Sequence, residues 1–311
     1  MNTTPAPIPA IDAASISTRA MLARLKISQW GSLRLDKVVT DEVARDKSAS
    51  ADAGKYKKSL LSKDALAAIQ EAISAARTYH QEHTLPWFDD AYRALPAAEF
   101  MAYSEAMRGF KAEFQAAVQQ LANDLPAHIE RDKVRLGAMF KATDYPTPGE
   151  LIDTYGFGNE FMPIPAGKDF RVDMTPEQRA QVQADIEART MAALQIAQTD
   201  LWQRAHAAVS RMAQRLRAYT VDPDSGKASH PFRDSLVGNL RDLAALLPSL
   251  NVAGDPALAD MARRLDEELC GYEAQDLRDS DVARDSVAQS AEDILAAMAG
   301  YIGTPAAKIA A

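Results

Sequence analysis

Apolar residues recur at intervals of mostly three and four from Val182 through Ile186, Leu194, Ala197, Leu201, Ala205, Ala208, Met212 and Leu216 to Tyr219. That period predicts one helix with a continuous apolar face. Its start is marked by Thr175-Pro176-Glu177-Gln178, with Thr175 as N-cap, Pro176 at the first helical position and Gln178 completing a capping box. No Gly or Pro follows until the turn signal Val221-Asp222-Pro223-Asp224-Ser225-Gly226. A helix from Thr175 to Tyr219 would be about 65 Å long at 1.5 Å per residue. It must lie along other helices or project into solvent. The alanines on its apolar face let a second helix approach closely, in the manner of a coiled coil.

Similar periods predict the remaining helices. Ala65, Leu66, Ile69, Ile73, Ala76 and Tyr79 place a helix over residues 62–83, and the aromatic and aliphatic stripe from Phe100 to Leu121 places another from Pro96 to Asp124. Asn123-Asp124-Leu125-Pro126 is expected to break that helix, with a further one running from Pro126 to Lys141. Near the N-terminus, Ile16, Ala20, Leu22 and Leu25 suggest a short amphipathic helix over Ile11 to Ile27. The stretch from Ile27 to Leu35 reads as extended, either a buried strand or a loop pinned by Trp30, and residues 41–58 read as flexible. Glu160 to Pro165 and Asp169 to Met174 flank Ala166-Gly167-Lys168 and predict a small β-hairpin. Three shorter helices are expected over Pro231 to Leu247, Pro256 to Tyr272 and Asp281 to Ile302.

The resulting expectation is a mainly α protein, an elongated helical bundle or coiled-coil-like arrangement around one very long helix, with a β-hairpin insertion. It divides into an N-terminal arm and flexible segment (1–58), a helical hairpin region (59–143), a Pro/Gly-rich hairpin segment (144–174), the long central helix (175–220) and acidic C-terminal helices (221–311). Composition agrees, since the chain of 311 residues has 14 glycines and 7% aromatic residues, too few for a large sheet protein. The single cysteine, Cys270, fits a reducing compartment. With no leader-like start and no run of 18 apolar residues, a cytoplasmic protein without a membrane association is expected.

Charge changes the picture along the chain. The net formal charge is −8, yet residues 1–145 carry 19 basic against 18 acidic residues, and residues 146–311 carry 16 against 25. An acidic chain is a poor general nucleic-acid binder, so any basic surface has to be local. Two local clusters stand out. Lys55-Tyr56-Lys57-Lys58 could contact phosphates while Tyr56 stacks on a base, or could be a solvated helix start. Arg204, Arg211 and Arg215, with Arg217 adjacent, form a stripe on the long helix that could bind an acidic partner, grip nucleic acid, or pair with the acidic C-terminal helices of the same chain or of a neighbouring copy.

Motifs for chemistry are sparse. His80 and His83 share a helix face near Asp89 and Asp90 and could ligate a metal, as in a metal-dependent hydrolase, although imidazoles also suit the last turn of a helix for dipole reasons. His128, His206 and His230 are isolated, and the three Gly-Lys pairs lack the first glycine of a phosphate-binding loop. No catalytic residue and no cofactor site is expected, and the reading is non-enzymatic.

Ile27, Trp30, Gly31, Arg34 and Leu35, followed by the helices from Ser62 to Asp124, resemble a family of helical proteins encoded by phages and integrative elements. The resemblance covers the N-terminal half. It implies a gene neighbourhood with a MoxR-type AAA+ ATPase and a von Willebrand A-like protein, and it carries over no catalytic residues. The leading expectation is therefore an interaction or adaptor protein that acts with a protein partner such as an ATPase, or within a homo-oligomer. The alternative is a DNA-binding accessory of phage replication or recombination.

Overall fold

The computed structural model describes residues 13–88, 91–165, 173–222, 224–225 and 227–301. The fold is mainly α. The chain forms two compact units that interleave in sequence: residues 24–81 and 101–160 make one, and residues up to 23, 82–100 and from 161 onward make the other.

The larger unit is organised around the long helix α6, Pro176–Ala218, 43 residues. Its start matches the sequence signal closely: the Thr175 hydroxyl accepts from the Gln178 amide and the Gln178 side chain accepts from the Thr175 amide. From Thr190 onward the helix buries Ala193, Leu194, Ala197, Leu201, Trp202, Ala205, Val209, Met212, Ala213 and Leu216. This seam is filled by the same chain, through α10 (Asp281–Met298) and α7 (Ser235–Leu250). Small residues at 193, 197, 205 and 213 permit that approach. Trp202 is 2% exposed and stacks on Tyr301 with ring centroids 4.4 Å apart. Further helices α8 (Pro256–Leu269) and α9 (Ala274–Asp279) complete the C-terminal layer, with α8 against α7. Pro248 lies inside α7 rather than dividing it.

The N-terminal end of this unit departs from expectation. The predicted helix from Ile11 to Ile27 is a seven-residue helix α1, Ala13–Arg19, followed by a strand β1, Ala20–Ser28. Tertiary pairing outweighs helix propensity here, because Ala20 to Ala23 pair antiparallel with β5, Arg93–Pro96, which in turn pairs with β4, Leu85–Pro86. The turn signal after α6 is a two-residue ribbon, β7 (Thr220–Val221) with β8 (Ala228–Ser229).

The smaller unit packs α3, Lys63–Glu82, with α4, Phe100–Leu136. His80 near the end of α3 bonds Tyr103 near the start of α4, while Leu61, just before α3, bonds Asp132 late in α4, so the two helices run antiparallel. Ile69, Ile73, Phe114, Val118, Leu121 and Leu125 share their core. The expected break at Pro126 is absent, and α4 continues through it for 37 residues in all. Leu125 and Leu136, on either side of or beyond the proline, are both buried in the same core, and that packing outweighs the lost backbone bond. Replacing Pro126 with Ala is accordingly expected to raise the stability of this unit, by up to ~3 kcal/mol, read as a higher denaturant midpoint.

Two further corrections concern strands. The segment read as flexible holds α2 (Lys37–Asp46) and β3 (Lys57–Ser59), and β3 pairs with β2 (Leu33–Leu35). The Asp36 side chain caps α2 by accepting from the Val39 amide. A short helix α5, Pro148–Thr154, leads into β6, Gly156–Pro163, which neighbours β1 in the sheet. A side chain at Gly156 would meet Ser28 Oγ at 2.6 Å, which is why a glycine stands at that close approach. The expected hairpin loop and most of its second strand, together residues 166–172, lie outside the described residues, as do Asp89 and Asp90.

Candidate functional site

The four arginines expected to act together have three different environments. Arg204 bonds the carbonyls of Glu82 and Thr84 at 2.9 Å each and pairs with Asp200 one turn earlier at 2.7 Å. It therefore holds the chain at the end of α3 and the start of β4. Arg217 meets one face of α10, pairing with Glu292 at 2.9 Å and Asp285 at 3.2 Å and donating to Gln289. The Glu292 carboxylate hydrogen-bonded to it raises the Arg217 pKa, and that carboxyl is held below its ordinary value by Arg217 in return. Pairing with the acidic C-terminal helices is thus realised at Arg217 within one chain.

Arg211 and Arg215 do neither. Both are exposed, and neither has a carboxylate within ion-pair distance among the described residues. One turn apart, they lie with His206, Ser210 and Gln214 along an open groove on α6. Successive residues advance 100° around a helix, so this face lies opposite the seam of Ala205, Val209, Met212 and Leu216. One side of α6 is closed by its own chain and the other presents two cations, an imidazole, a hydroxyl and an amide. The helix C-terminus lies close by, and its carbonyl dipoles favour the cationic residues there.

The second cluster is divided by burial. Lys55, Tyr56 and Lys57 are exposed, whereas Lys58 is 2% exposed and faces inward. Its ammonium lies 2.8 Å from Asp144 Oδ2 and 3.6 Å from Asp36 Oδ2, and donates to the Met139 carbonyl. The Val39 amide and Lys58 hold the Asp36 carboxyl below its usual value against the opposing effect of burial. Lys58 is thus committed to a buried ion pair and is not presented to a phosphate.

Close by, Asp132 is 2% exposed and accepts from the Leu61 amide at 2.6 Å, from Tyr145 Oη at 2.7 Å and from Arg135 Nε at 2.7 Å. Burial would raise the Asp132 pKa, but the bonds from Arg135, Tyr145 and Leu61 more than offset it and leave it lowered. Burial pushes the Tyr145 phenol up, and its bond to Asp132 adds to this. Leu61 sits at φ 58°, a conformation rare for a leucine, and the Asp132 bond fixes its amide. Arg135 also donates to the Ser59 carbonyl at 2.8 Å. Together these groups tie β3 and the start of α3 to the end of α4. Sequence reasoning did not single out Asp36, Asp132, Asp144 or Tyr145; the one signal was Lys58 standing two residues before the apolar pair Leu60-Leu61, both of which are buried.

His80 and His83 have other partners. His80 is buried and its Nδ1 is 2.7 Å from Tyr103 Oη, and His83 Nδ1 is 3.1 Å from Glu99 Oε2. Among the described residues no group of three or more His, Cys, Asp or Glu side chains could hold a metal ion. Cys270 is buried, and burial raises its thiol to about 11, so it stays protonated. No described helix is long and apolar enough to cross a membrane. No family model, curated protein or solved structure matches the chain.

Proposed function

We propose that this chain is a non-enzymatic, helical protein–protein interaction protein that binds an acidic partner along the outer face of α6. The observation that carries the reading is the pair Arg211 and Arg215, exposed and without a carboxylate partner among the described residues, on a helix whose opposite face is already filled. Self-association through the apolar seam from Ala193 to Leu216 has little room, because α7 and α10 occupy it. What α6 offers outward is charge and hydrogen bonding, which confer specificity and association rate on a complementary acidic surface. The resemblance of the N-terminal half makes a MoxR-type AAA+ ATPase the first partner to offer, in keeping with a phage or mobile-element origin.

The test is an affinity capture from extracts of the source cells, comparing the native chain with the double variant R211E/R215E by quantitative mass spectrometry. An acidic protein enriched by the native chain and reduced about tenfold or more by the variant, at unchanged melting temperature, is the expected result. Equal recovery by both chains, or recovery of nothing specific, overturns the reading. Salt-dependent retention of DNA that is lost in the same variant would favour the DNA-binding accessory instead.

A further inference from the structure

We infer that the β2–α2–β3 segment of the smaller unit is a second docking surface, one that takes an extended acidic and aliphatic peptide as an added strand along the open edge of β2. Five of the fourteen large apolar residues that stand exposed among the described residues fall between positions 33 and 56: Leu33 at 56%, Leu35 at 44%, Val38 at 58%, Val43 at 51% and Tyr56 at 40%. Scattered apolar residues are ordinary on a surface, but a concentration on one short segment marks a contact site. The helix within the segment, α2, buries no residue at all.

The backbone makes the site specific. β2 and β3 pair with Leu33 opposite Ser59, Arg34 opposite Lys58 and Leu35 opposite Lys57. Bonds from the Leu60 amide to the Ser32 carbonyl and from the Asp36 amide to the Tyr56 carbonyl fix the phase of the ladder. In an antiparallel pair the bonded residues alternate, so Ser32, Arg34 and Asp36 turn their backbone groups toward β3, and Leu33 and Leu35 turn theirs outward. Among the described residues this sheet has two strands, and no strand pairs with that edge. Of its carbonyls, that of Leu33 is met by the Arg34 guanidinium at 3.3 Å. An added strand would bond to the outward groups of Leu33 and Leu35 and lay alternate side chains on the face those residues share with Lys57.

Charge complementarity selects the occupant. Residues 24–60 carry nine basic against five acidic side chains in a chain whose net charge is −8. Lys37, Lys55 and Lys57 are exposed and have no carboxylate partner among the described residues. Aliphatic residues on the face with cations around them fit a peptide that alternates aliphatic and acidic side chains. The adjacent faces of this unit hold the segment rigid, because Lys58 and Asp36 on the inner side are buried in their ion pair and Tyr56 is tied to α2 through the Thr40 hydroxyl at 3.0 Å. The inference does not depend on the α6 face, which lies in the other unit.

The test uses the full chain and a fluorescent ten-residue peptide alternating Glu with Val, with a Lys/Val peptide of the same length beside it. Anisotropy is expected to show binding of the Glu/Val peptide and at least tenfold weaker binding of the Lys/Val one. Amide exchange at Leu33 and Leu35 is expected to slow in the complex. L33D/L35D, which changes only exposed side chains, and L35P, which removes an outward N–H, are each expected to weaken binding about tenfold or more, while R211E/R215E leaves it unchanged. No binding, binding unaffected by both variants, or unchanged exchange at Leu33 and Leu35 overturns the inference. So does binding of a single-stranded oligonucleotide in preference to the peptide, or a dimer of the chain that L33D/L35D dissolves, since either names a different occupant.

Discussion

Asp132→Ala is expected to destabilise the smaller unit by about 2–4 kcal/mol, the cost of leaving the donors that converge on a buried carboxylate without their acceptor. The carboxylate serves three donors at once. Without it the buried Leu61 amide and the half-buried Tyr145 hydroxyl lose their acceptor, and the orphaned groups add desolvation cost. Tyr145→Phe removes one donor and no charge, and is expected to cost about 1 kcal/mol. Urea titrations of the two variants check this ordering.

The pH dependence follows in sign. In the fold the Asp132 carboxyl is held below its ordinary value. Its contribution to stability is complete above the unfolded carboxylate value of about 4 and is lost as pH falls through the lowered folded value. Asp132→Asn binds no proton there, so its stability curve should be flatter than that of the native chain on the acid side.

Trp202→Ala is the second large expected loss, about 3–5 kcal/mol, and it falls in the larger unit. Trp202 sits in the seam between buried Leu201 and Ala205 and stacks on Tyr301 at an interplanar angle of 10°. Removing the indole deletes a large buried surface and leaves a cavity among helices whose small residues cannot close it. Tyr301 then loses its ring partner. Thermal unfolding followed in the near ultraviolet reads the loss. Leu201→Ala, a smaller deletion in the same seam, should fall between this variant and the native chain.

The helices were legible because their cause is local. Thr175, Pro176 and Gln178 announce the start of α6 with side-chain chemistry confined to four residues, and the bonds they imply are the bonds found. The β structure was not legible in the same way. β1 looks helical in isolation and becomes a strand because β5, some seventy residues away, offers it a ladder. Pro126 carries a correct local warning that buried leucines on both sides of it override. The arginine stripe was visible as a pattern, but spacing could not separate Arg217, answered by Glu292, from Arg215 and Arg211 two and six residues earlier. Lys58 was read with its basic neighbours because its carboxylate partners, Asp36 and Asp144, lie 22 and 86 residues from it in sequence. Asp132, within the charged run from Glu130 to Arg135, looks like any solvated residue of a helix surface.

A photo-crosslinking residue at Gln214, between Arg211 and Arg215 on α6, tests the central claim most directly, because it reports what lies on that groove in the source cells. The account predicts a discrete adduct with an acidic protein, absent when the same residue is placed at Val282, an exposed position of α10, and abolished by R211E/R215E. An unmodified chain after irradiation, or the same adduct from Val282 and from Gln214, would contradict it.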